Sequence, residues 1–250
     1  MIIKYFHLKF NSKNIETGDN MERYNIIKNK NQREIVLLKS HPCFWGKCSF
    51  CDYIDDNSLN ESDMNALNSD ILKNVTGIYK TLEVINSASC FDLPSETLNK
   101  IKETTISKDI KKLFFESHWI YRHKLKDMRK FFDNTSIIFK IGIETFDNDF
   151  RNGFLNKNAV FDDYTDVQKY FDSVCIMVGI KGQTKDMIKK DIDILLNDFS
   201  YGTVNIFTEN STNVKRDNDL ISWFKEEYKF LNTIDKIEVL YENTDFGVGD

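Results

Sequence analysis

Three of the five cysteines of this chain lie within nine residues, in the run Cys43-Phe44-Trp45-Gly46-Lys47-Cys48-Ser49-Phe50-Cys51. Cysteine thiolates are soft ligands that favour iron–sulfur clusters or zinc. Three thiolates on one tight loop can hold three corners of a cubane cluster, and the fourth iron is then open to a ligand that is not protein. The loop therefore indicates a metal centre with one open coordination site.

Two other interpretations of the loop stay open. A zinc knuckle would use His41 as a fourth ligand, but zinc sites commonly pair two C-x2-C hooks and this loop supplies one. A disulfide is a weaker alternative, since nothing in the sequence marks secretion. Cys90 and Cys175 lie beside apolar residues and are expected to be buried small hydrophobic side chains rather than ligands.

The cysteine loop resembles that of radical S-adenosylmethionine (SAM) enzymes. Their common spacing is C-x3-C-x2-C and here it is C-x4-C-x2-C, with the usual aromatic residue, Phe50, before the last cysteine. The resemblance implies a 4Fe-4S cluster on Cys43, Cys48 and Cys51, with SAM bound at the open iron and in contact with Phe50. It also implies cleavage of SAM to a 5′-deoxyadenosyl radical, with an electron donor such as flavodoxin or ferredoxin.

Bulk composition is that of an ordinary globular protein. Of 250 residues, 41% are hydrophobic and 29% charged, and only two prolines and ten glycines occur. No linker is visible, so we expect a single domain over residues 34–250 after a short N-terminal extension, residues 1–33. The formal net charge of −5 argues against a chain whose main task is to bind nucleic acid.

Neither a membrane span nor a signal peptide is visible in the sequence. No apolar run approaches the roughly 20 residues that a membrane helix needs. The first residues, Met-Ile-Ile-Lys-Tyr-Phe-His, lack an apolar core and a cleavage site. We therefore expect a cytoplasmic location, and that reducing compartment would suit an oxygen-sensitive cluster.

Apolar runs and helical patterns alternate from residue 34 onward. The predicted strands are 34–39, 83–86, 112–116, 136–142, 174–178, 203–208 and 236–241. The predicted helices are 61–82, 94–105, 122–133, 162–171, 184–199 and 217–230. Such alternation favours a parallel sheet with right-handed crossovers. It predicts an α/β fold, a partial (βα)6 TIM-type barrel whose site lies at the carboxyl ends of the strands.

Polar residues follow the second and third predicted strands. The run 86–92 resembles a Ser-Gly-Ser-Phe-Leu-Asp run of some tRNA-related radical SAM families, which implies that Ser87 and Ser89 bind SAM. A plain polar turn is the alternative. Glu116 ends the third strand and could bind ribose hydroxyls or substrate, or form a salt bridge at the rim.

The fourth unit resembles the Gly-Leu-Glu-Thr … Arg … Asn-Lys segment of the same families. It reads Ile141-Gly-Ile-Glu144-Thr145, then Arg151, then Leu155-Asn156-Lys157. The resemblance implies that Glu144 projects into the barrel mouth and that Arg151 binds the SAM carboxylate through its two-pronged guanidinium. As an alternative, Arg151 could pair with Asp147. In the fifth unit the resemblance implies that SAM adenine packs on Met177.

Asn205, Phe207 and Glu209 alternate on one predicted strand face. A polar, aromatic and acidic face inside a barrel favours a ligand, because buried polar groups need partners. With Asp52 and Glu116 they are the candidate substrate-binding residues.

The cysteine loop and the run Val204-Asn-Ile-Phe-Thr-Glu-Asn210 resemble those of queuine lyases. These radical SAM enzymes cleave queuine to 7-aminomethyl-7-deazaguanine in salvage of the tRNA base queuosine. Two alternatives stay open: another radical SAM enzyme that modifies nucleobases or tRNA, and a zinc-stabilised binding module without catalysis.

Overall fold

The computed structural model describes residues 22–52 and 56–242. Within these ranges, eight strands form one sheet in chain order. The strands are β1 (Tyr24–Ile27), β2 (Arg33–Leu38), β3 (Thr81–Asn86), β4 (Lys112–Glu116), β5 (Ser136–Glu144), β6 (Ser173–Val178), β7 (Tyr201–Ile206) and β8 (Ile237–Leu240). β1 is antiparallel to β2, and the other neighbours are parallel. The sheet curls into a half-barrel, which confirms the predicted partial TIM-type barrel.

Helices connect the parallel strands and cover the convex face of the sheet. They are α1 (Glu61–Leu72), α2 (Ser95–Ser107), α3 (Leu125–Phe131), α4 (Tyr164–Gln168), α5 (Lys185–Asp198) and α6 (Asn218–Glu227). Short 3-10 turns occupy Cys90–Asp92, Trp119–Lys124 and Lys229–Thr233, and one π-helical turn occupies Asp149–Phe154. In the part of the chain that the structure describes, no helix has the length and apolar character needed to span a membrane.

Strand β2 shows how the sequence builds both faces of the sheet. Val36 and Leu38 pack into the main core beneath the helices. Ile35 and Leu37 point to the opposite, concave face, where they pack with Ile85. A strand covered on both faces reads as a continuous apolar run, which is why β2 could be predicted directly.

Charged side chains occupy part of the concave face. Arg33 forms ion pairs with Glu83 and with Glu238, the latter at 2.7 Å. Lys140 also pairs with Glu83, and its Nζ lies 3.6 Å from Glu116. Glu83 is 1% exposed, yet the two cations hold its carboxylate charged. The interior of the half-barrel is thus crossed by a buried ion-pair network.

Two sequence-based boundaries are wrong. The polar extension contains β1, an edge strand that pairs with β2 and therefore needs no long apolar run. The helix predicted over 61–82 ends at Leu72, where the Asn74 side chain donates to the carbonyl of Ile71 (3.0 Å) and stops the helix. The predictions for residues 1–21 and 243–250 lie outside the described residues.

Candidate active site

The cysteine loop follows β2 at the carboxyl ends of the parallel strands. Cys43, Cys48 and Cys51 are each partly exposed, and no disulfide joins cysteines in the part of the chain that the structure describes. Cys48 and Cys51 pack against an apolar cluster whose buried members are Phe50, Phe150, Leu155, Met177, Ile180, Phe207 and Val214. The sulfur atoms therefore border an apolar, largely water-excluding surface on one side.

A segment after β5, residues 154–157, holds the loop from the outside, and we call it the clamp segment. The Trp45 indole donates to the carbonyl of Asn156 (2.7 Å), and the Asn156 amide donates back to the carbonyl of Lys47 (2.7 Å). The backbone N–H of Ser49 donates to the carbonyl of Leu155 (2.9 Å). These bonds fix the loop between the first and last cysteine, so the wider first gap of the motif is held by the clamp segment.

A second tie joins the loop to the segment after β7. The Asn210 amide donates to the carbonyl of Phe50 (2.7 Å) and to Asp52 (3.1 Å). Asp52 also accepts from the backbone N–H of Ser211 (3.2 Å). Asp52 therefore anchors the loop in this structure, and its expected contact with substrate stays a prediction.

Glu144 and Lys157 form a buried ion pair at the end of β5, with Glu144 Oε1 2.6 Å from Lys157 Nζ. Glu144 is 4% exposed and has a left-handed backbone, with φ of 69°. A non-glycine residue in this region is uncommon and often marks a functional site. A Cβ added at Gly142 would lie 2.9 Å from Glu144 Oε1 and 3.2 Å from Lys157 Nζ. The missing side chain at Gly142 makes room for the pair.

The ammonium of Lys157 acts on the cysteine thiols. Burial raises the pKa of Cys48 to about 11, and the positive charge of Lys157 opposes this shift more strongly than Glu144 adds to it. The pKa of Lys157 itself is raised: burial lowers it, but the charge of Glu144 and the hydrogen bond with Glu144 raise it. Without a metal Cys48 is a neutral thiol at pH 7, and binding to iron would displace its proton.

His118 holds the clamp segment through a hydrogen bond to its backbone. Its Nε2 lies 2.9 Å from the carbonyl of Lys157, and its Nδ1 accepts from the backbone N–H of Ile120 (3.3 Å). These partners assign the proton to Nε2 of a neutral imidazole. Burial lowers the pKa of His118 to about 4, which agrees with that neutral form.

The donor set fits a cubane cluster better than a single zinc ion. Among the described residues, no three His, Cys, Asp or Glu side chains converge where one metal ion could bind. A zinc ion needs all its ligands within about 2.3 Å of one point, whereas a cubane binds each thiolate at a different iron. His41, the fourth ligand of the zinc alternative, contacts Glu61 through Nε2 (3.0 Å).

The predicted SAM residues after β3 form a structured turn. Ser89 caps the 3-10 turn that begins at Cys90, in a reciprocal capping box with Asp92. Ser87 donates to the carbonyl of Asp56 (2.8 Å). Beside them, Asn86 Oδ1 is buried and has no hydrogen-bond partner among the described residues. An orphaned acceptor at the end of a barrel strand is suited to bind a donor group of a ligand.

Arg151 lies apart from the open end of the barrel. It is completely buried. Its Nε donates to the carbonyl of Ala159 (2.8 Å) and its Nη1 to the carbonyl of Thr145 (2.9 Å), while the guanidinium stacks 3.6 Å from the Phe161 ring centroid. Its Nη2 donates to Oδ1 of the exposed Asn148 (3.3 Å), and Asp147 is not a hydrogen-bond acceptor of the guanidinium among the described residues. These bonds hold the β5 loop, and the predicted contact of Arg151 with the SAM carboxylate stays a prediction.

Only the first of the three predicted pocket residues on β7 lies in the strand, because β7 ends at Ile206. Asn205 pairs in register with Met177 of β6 and Leu240 of β8, so its side chain shares the concave face. Asn205 Oδ1 is buried and accepts no hydrogen bond from any described residue. The common strand face predicted for all three residues is therefore wrong.

Phe207 and Glu209 take other positions. Phe207 is 3% exposed and belongs to the apolar cluster beside the cysteines. Glu209 is exposed on a loop, where Oε1 accepts from the backbone N–H of Arg216 (3.1 Å). Glu116 is partly exposed and pairs with Lys140, as its rim alternative predicted. Contacts of these three residues with substrate stay predictions.

A curled parallel sheet with a three-cysteine loop after its first parallel strand defines a radical SAM enzyme. No protein-family model matches the chain, and no curated protein matches it. Among solved structures it is similar to a queuine lyase from Clostridium spiroforme bound to SAM and queuine: 52% identity, TM-score 0.89, covering 92% of this chain and 100% of that one. The chain belongs to the family of this queuine lyase.

More distant solved structures share the fold. A methylornithine synthase matches with a TM-score of 0.53 at 13% identity, over 85% of this chain and 67% of that one. Streptococcus suis SuiB bound to S-adenosylmethionine matches with a TM-score of 0.50 at 14% identity, over 83% of this chain and 46% of that one. At these identities the likeness concerns the half-barrel alone.

The structure adds site residues that the sequence reasoning did not assign. Lys157, Asn156, Trp45 and His118 act together on the cysteine loop, and Asn86 presents an unpaired carbonyl. Asn156 and Lys157 belong to the segment that resembles other radical SAM families, and this resemblance is the sequence feature that could have identified them.

Proposed function

We propose that the protein is a queuine lyase, which cleaves queuine to 7-aminomethyl-7-deazaguanine by radical SAM chemistry in queuosine salvage. This proposal rests on the 52% sequence identity to a queuine lyase, over 92% of this chain and all of that one. The folds of the two chains also agree, with a TM-score of 0.89. The half-barrel and the three-cysteine loop are the parts that this chemistry requires.

Cys43, Cys48 and Cys51 would hold a 4Fe-4S cluster. When bound, the reduced cluster supplies the electron that cleaves SAM to methionine and a 5′-deoxyadenosyl radical. The chain's own residues orient and shield this chemistry. The apolar cluster around Phe50 and Met177 excludes water from one side, which limits loss of the radical to solvent.

We place SAM against the ends of β3, β5 and β6. Asn86 offers an unpaired carbonyl oxygen at the end of β3. Glu144, held by Lys157, offers a carboxylate suited to accept from ribose hydroxyls or from the amino group. Phe50 and Met177 offer an apolar surface for adenine. Ser87 and Ser89 shape the turn that brings the backbone to the ligand.

We place the substrate on the concave face, next to Asn205. Its buried Oδ1 has lost water and has gained no partner within the described residues, a state that costs about 1–3 kcal/mol. A donor-rich base such as a deazaguanine would remove this cost. Loss of such an acceptor should impair the correct substrate strongly, because the substrate donor is then left unpaired.

The reaction also needs an external one-electron donor, and flavodoxin or ferredoxin is our proposal. The reducing cytoplasm is the proposed compartment, because the cysteine loop needs reduced thiols to receive its metal.

The test is anaerobic incubation of the iron-loaded protein with SAM, dithionite and queuine, followed by mass analysis. We expect 7-aminomethyl-7-deazaguanine and 5′-deoxyadenosine to appear together. Changing any one of Cys43, Cys48 or Cys51 to Ala should abolish both products. Cys175→Ala is the matched control, since Cys175 lies in β6 and is not part of the cysteine loop, so the change should leave iron content unchanged.

Two outcomes would contradict the proposal at different levels. Formation of 5′-deoxyadenosine that queuine does not stimulate would reject queuine as substrate and leave the radical SAM class intact. Protein that is colourless and zinc-loaded after anaerobic purification would favour the binding-module alternative. Asn205→Ala should lower turnover of queuine while SAM cleavage without substrate continues, and Asn197→Ala serves as the comparison at an exposed position on α5.

A further inference from the structure

Lys157 places a buried positive charge beside the cysteine loop. Its side chain is 14% exposed, and its Nζ lies 2.6 Å from Glu144 Oε1 and 5.4 Å from the centroid of the Phe50 ring. Phe50 stands between Cys48 and Cys51 in the sequence. The ammonium therefore faces the half of the loop that carries two of the three thiols.

The backbone around Lys157 is built to hold this position. Asn156 and Asn158 both have left-handed backbones, with φ of 50° and 54°. Asn156 is bonded in both directions to the cysteine loop, and the carbonyl of Lys157 accepts from His118. Left-handed turns on both sides of one residue fix the direction of its side chain.

Of the two charges in the ion pair, that of Lys157 is the one in contact with the cysteine loop. Its Nζ lies over the ring of Phe50, and its partner Glu144 ends β5. The pair thus presents its positive end to the loop. Because the site is buried, charges there interact more strongly than they would in water.

We propose that Lys157 raises the reduction potential of the iron–sulfur cluster, and that Glu144 limits this effect. The inference rests on the cluster of the proposed function but not on queuine as substrate. A cubane with three thiolate ligands carries net negative charge, and the electron from the donor adds one more. A nearby cation stabilises the reduced form over the oxidised form, and net charge around a cluster is known to set its potential. No proton or bond change accompanies this step.

The test is a redox titration of the anaerobic, iron-loaded protein without SAM or substrate, followed by electron paramagnetic resonance. Lys157→Met should lower the reduction potential of the cluster by about 59 mV. For one electron, this lowers the ratio of reduced to oxidised cluster at a fixed potential about tenfold. Lys157→Arg keeps the charge and should stay near wild type. Glu144→Gln should shift the potential upward. Lys189→Met, at an exposed position on α5, is the matched control and should change nothing.

The opposite signs separate charge from structure. If loosening of the loop were the cause, Lys157→Met and Glu144→Gln would shift the potential in the same direction, and the inference would be wrong. Unchanged potentials in both variants would also overturn it. If Lys157→Met cannot hold iron, Glu144→Gln and Lys157→Arg still decide the question. Failure of the wild-type protein to bind a cluster would instead count against the proposed function.

Discussion

Gly142→Ala is the most direct test of the packing behind the Glu144–Lys157 pair. The added methyl would lie 2.9 Å from Glu144 Oε1, closer than real Cβ atoms come to other heavy atoms, and 3.2 Å from Lys157 Nζ. Both contacts involve side-chain ends, so the carboxylate and the ammonium must shift away from the new methyl. The substitution thus disturbs the ion pair and leaves both charges in the chain.

The expected cost follows from two opposing effects. Overpacking a filled site costs about 1–3 kcal/mol, whereas alanine in a strand interior is favoured over glycine by roughly 0.5–1 kcal/mol. We expect the free energy of unfolding to fall by about 1–2 kcal/mol. This is less than the roughly 3–5 kcal/mol for removing one partner of a buried pair, because both partners remain.

Urea unfolding of the metal-free chain, followed by circular dichroism, measures this change. Gly153→Ala is the matched control, since a Cβ there meets nothing within 4 Å and the residue lies in a helical turn. It should leave stability unchanged or raise it by up to about 1 kcal/mol. Binding of SAM to the iron-loaded protein, measured by calorimetry, should weaken in Gly142→Ala only. Equal stability and equal SAM affinity of the two variants would refute the reasoning.

Three further predictions concern buried charged or titratable groups. Burial lowers the pKa of His118 to about 4, so the unfolded chain binds its proton first; stability is full above about pH 6.5 and falls as pH drops toward 4. His118→Gln should flatten urea-unfolding stability over that window, and an unchanged slope would contradict it. Burial raises the pKa of Asp191 to about 7, so stability is lost as pH rises from about 4 to 7. Asp191→Asn should therefore gain about 2–3 kcal/mol more at pH 8 than at pH 5, whereas equal gains would exclude this titration. Arg151→Ala should cost about 2–6 kcal/mol, from about 1–3 kcal/mol for each of the two buried carbonyls left unpaired, and a selective loss of SAM affinity at unchanged stability would instead support the predicted role in SAM binding.

The sequence was sufficient for the architecture because the strands are covered on both faces. β6 is apolar at every position after Ser173, β2 is apolar from Ile35 to Leu38, and the helices between the strands carry one apolar stripe. The edge strand β1 had no such signal, because it is only four residues long and lies in a polar segment; it forms by pairing with β2. The end of β7 was also hidden, because Phe207 continues the apolar run while its side chain turns into the cluster beside the cysteines.

The site was predicted where residue type alone carries the chemistry. Three clustered thiols have few other uses, so the cysteine loop could be identified directly. Arg151 shows the opposite case: a guanidinium suits a ligand carboxylate and a backbone carbonyl equally, and its bond to the carbonyl of Ala159 depends on the path of a loop that the sequence does not specify. The pairing of Lys157 with Glu144 could not be predicted, because it depends on the left-handed backbones of the two residues beside Lys157, which the sequence does not specify.

The ties of the cysteine loop have a consequence for the order of events during synthesis. Trp45 bonds to a residue 111 positions later, and Phe50 to one 160 positions later. At about 5–20 residues per second, roughly 5–20 s separate the emergence of Cys51 from that of Asn156. During that interval the clamp segment has not been synthesised, so the three thiols are not held in a fixed arrangement for binding iron. Metal delivery is therefore expected to follow completion of the half-barrel, and a chain truncated before residue 154 should accept no stable cluster.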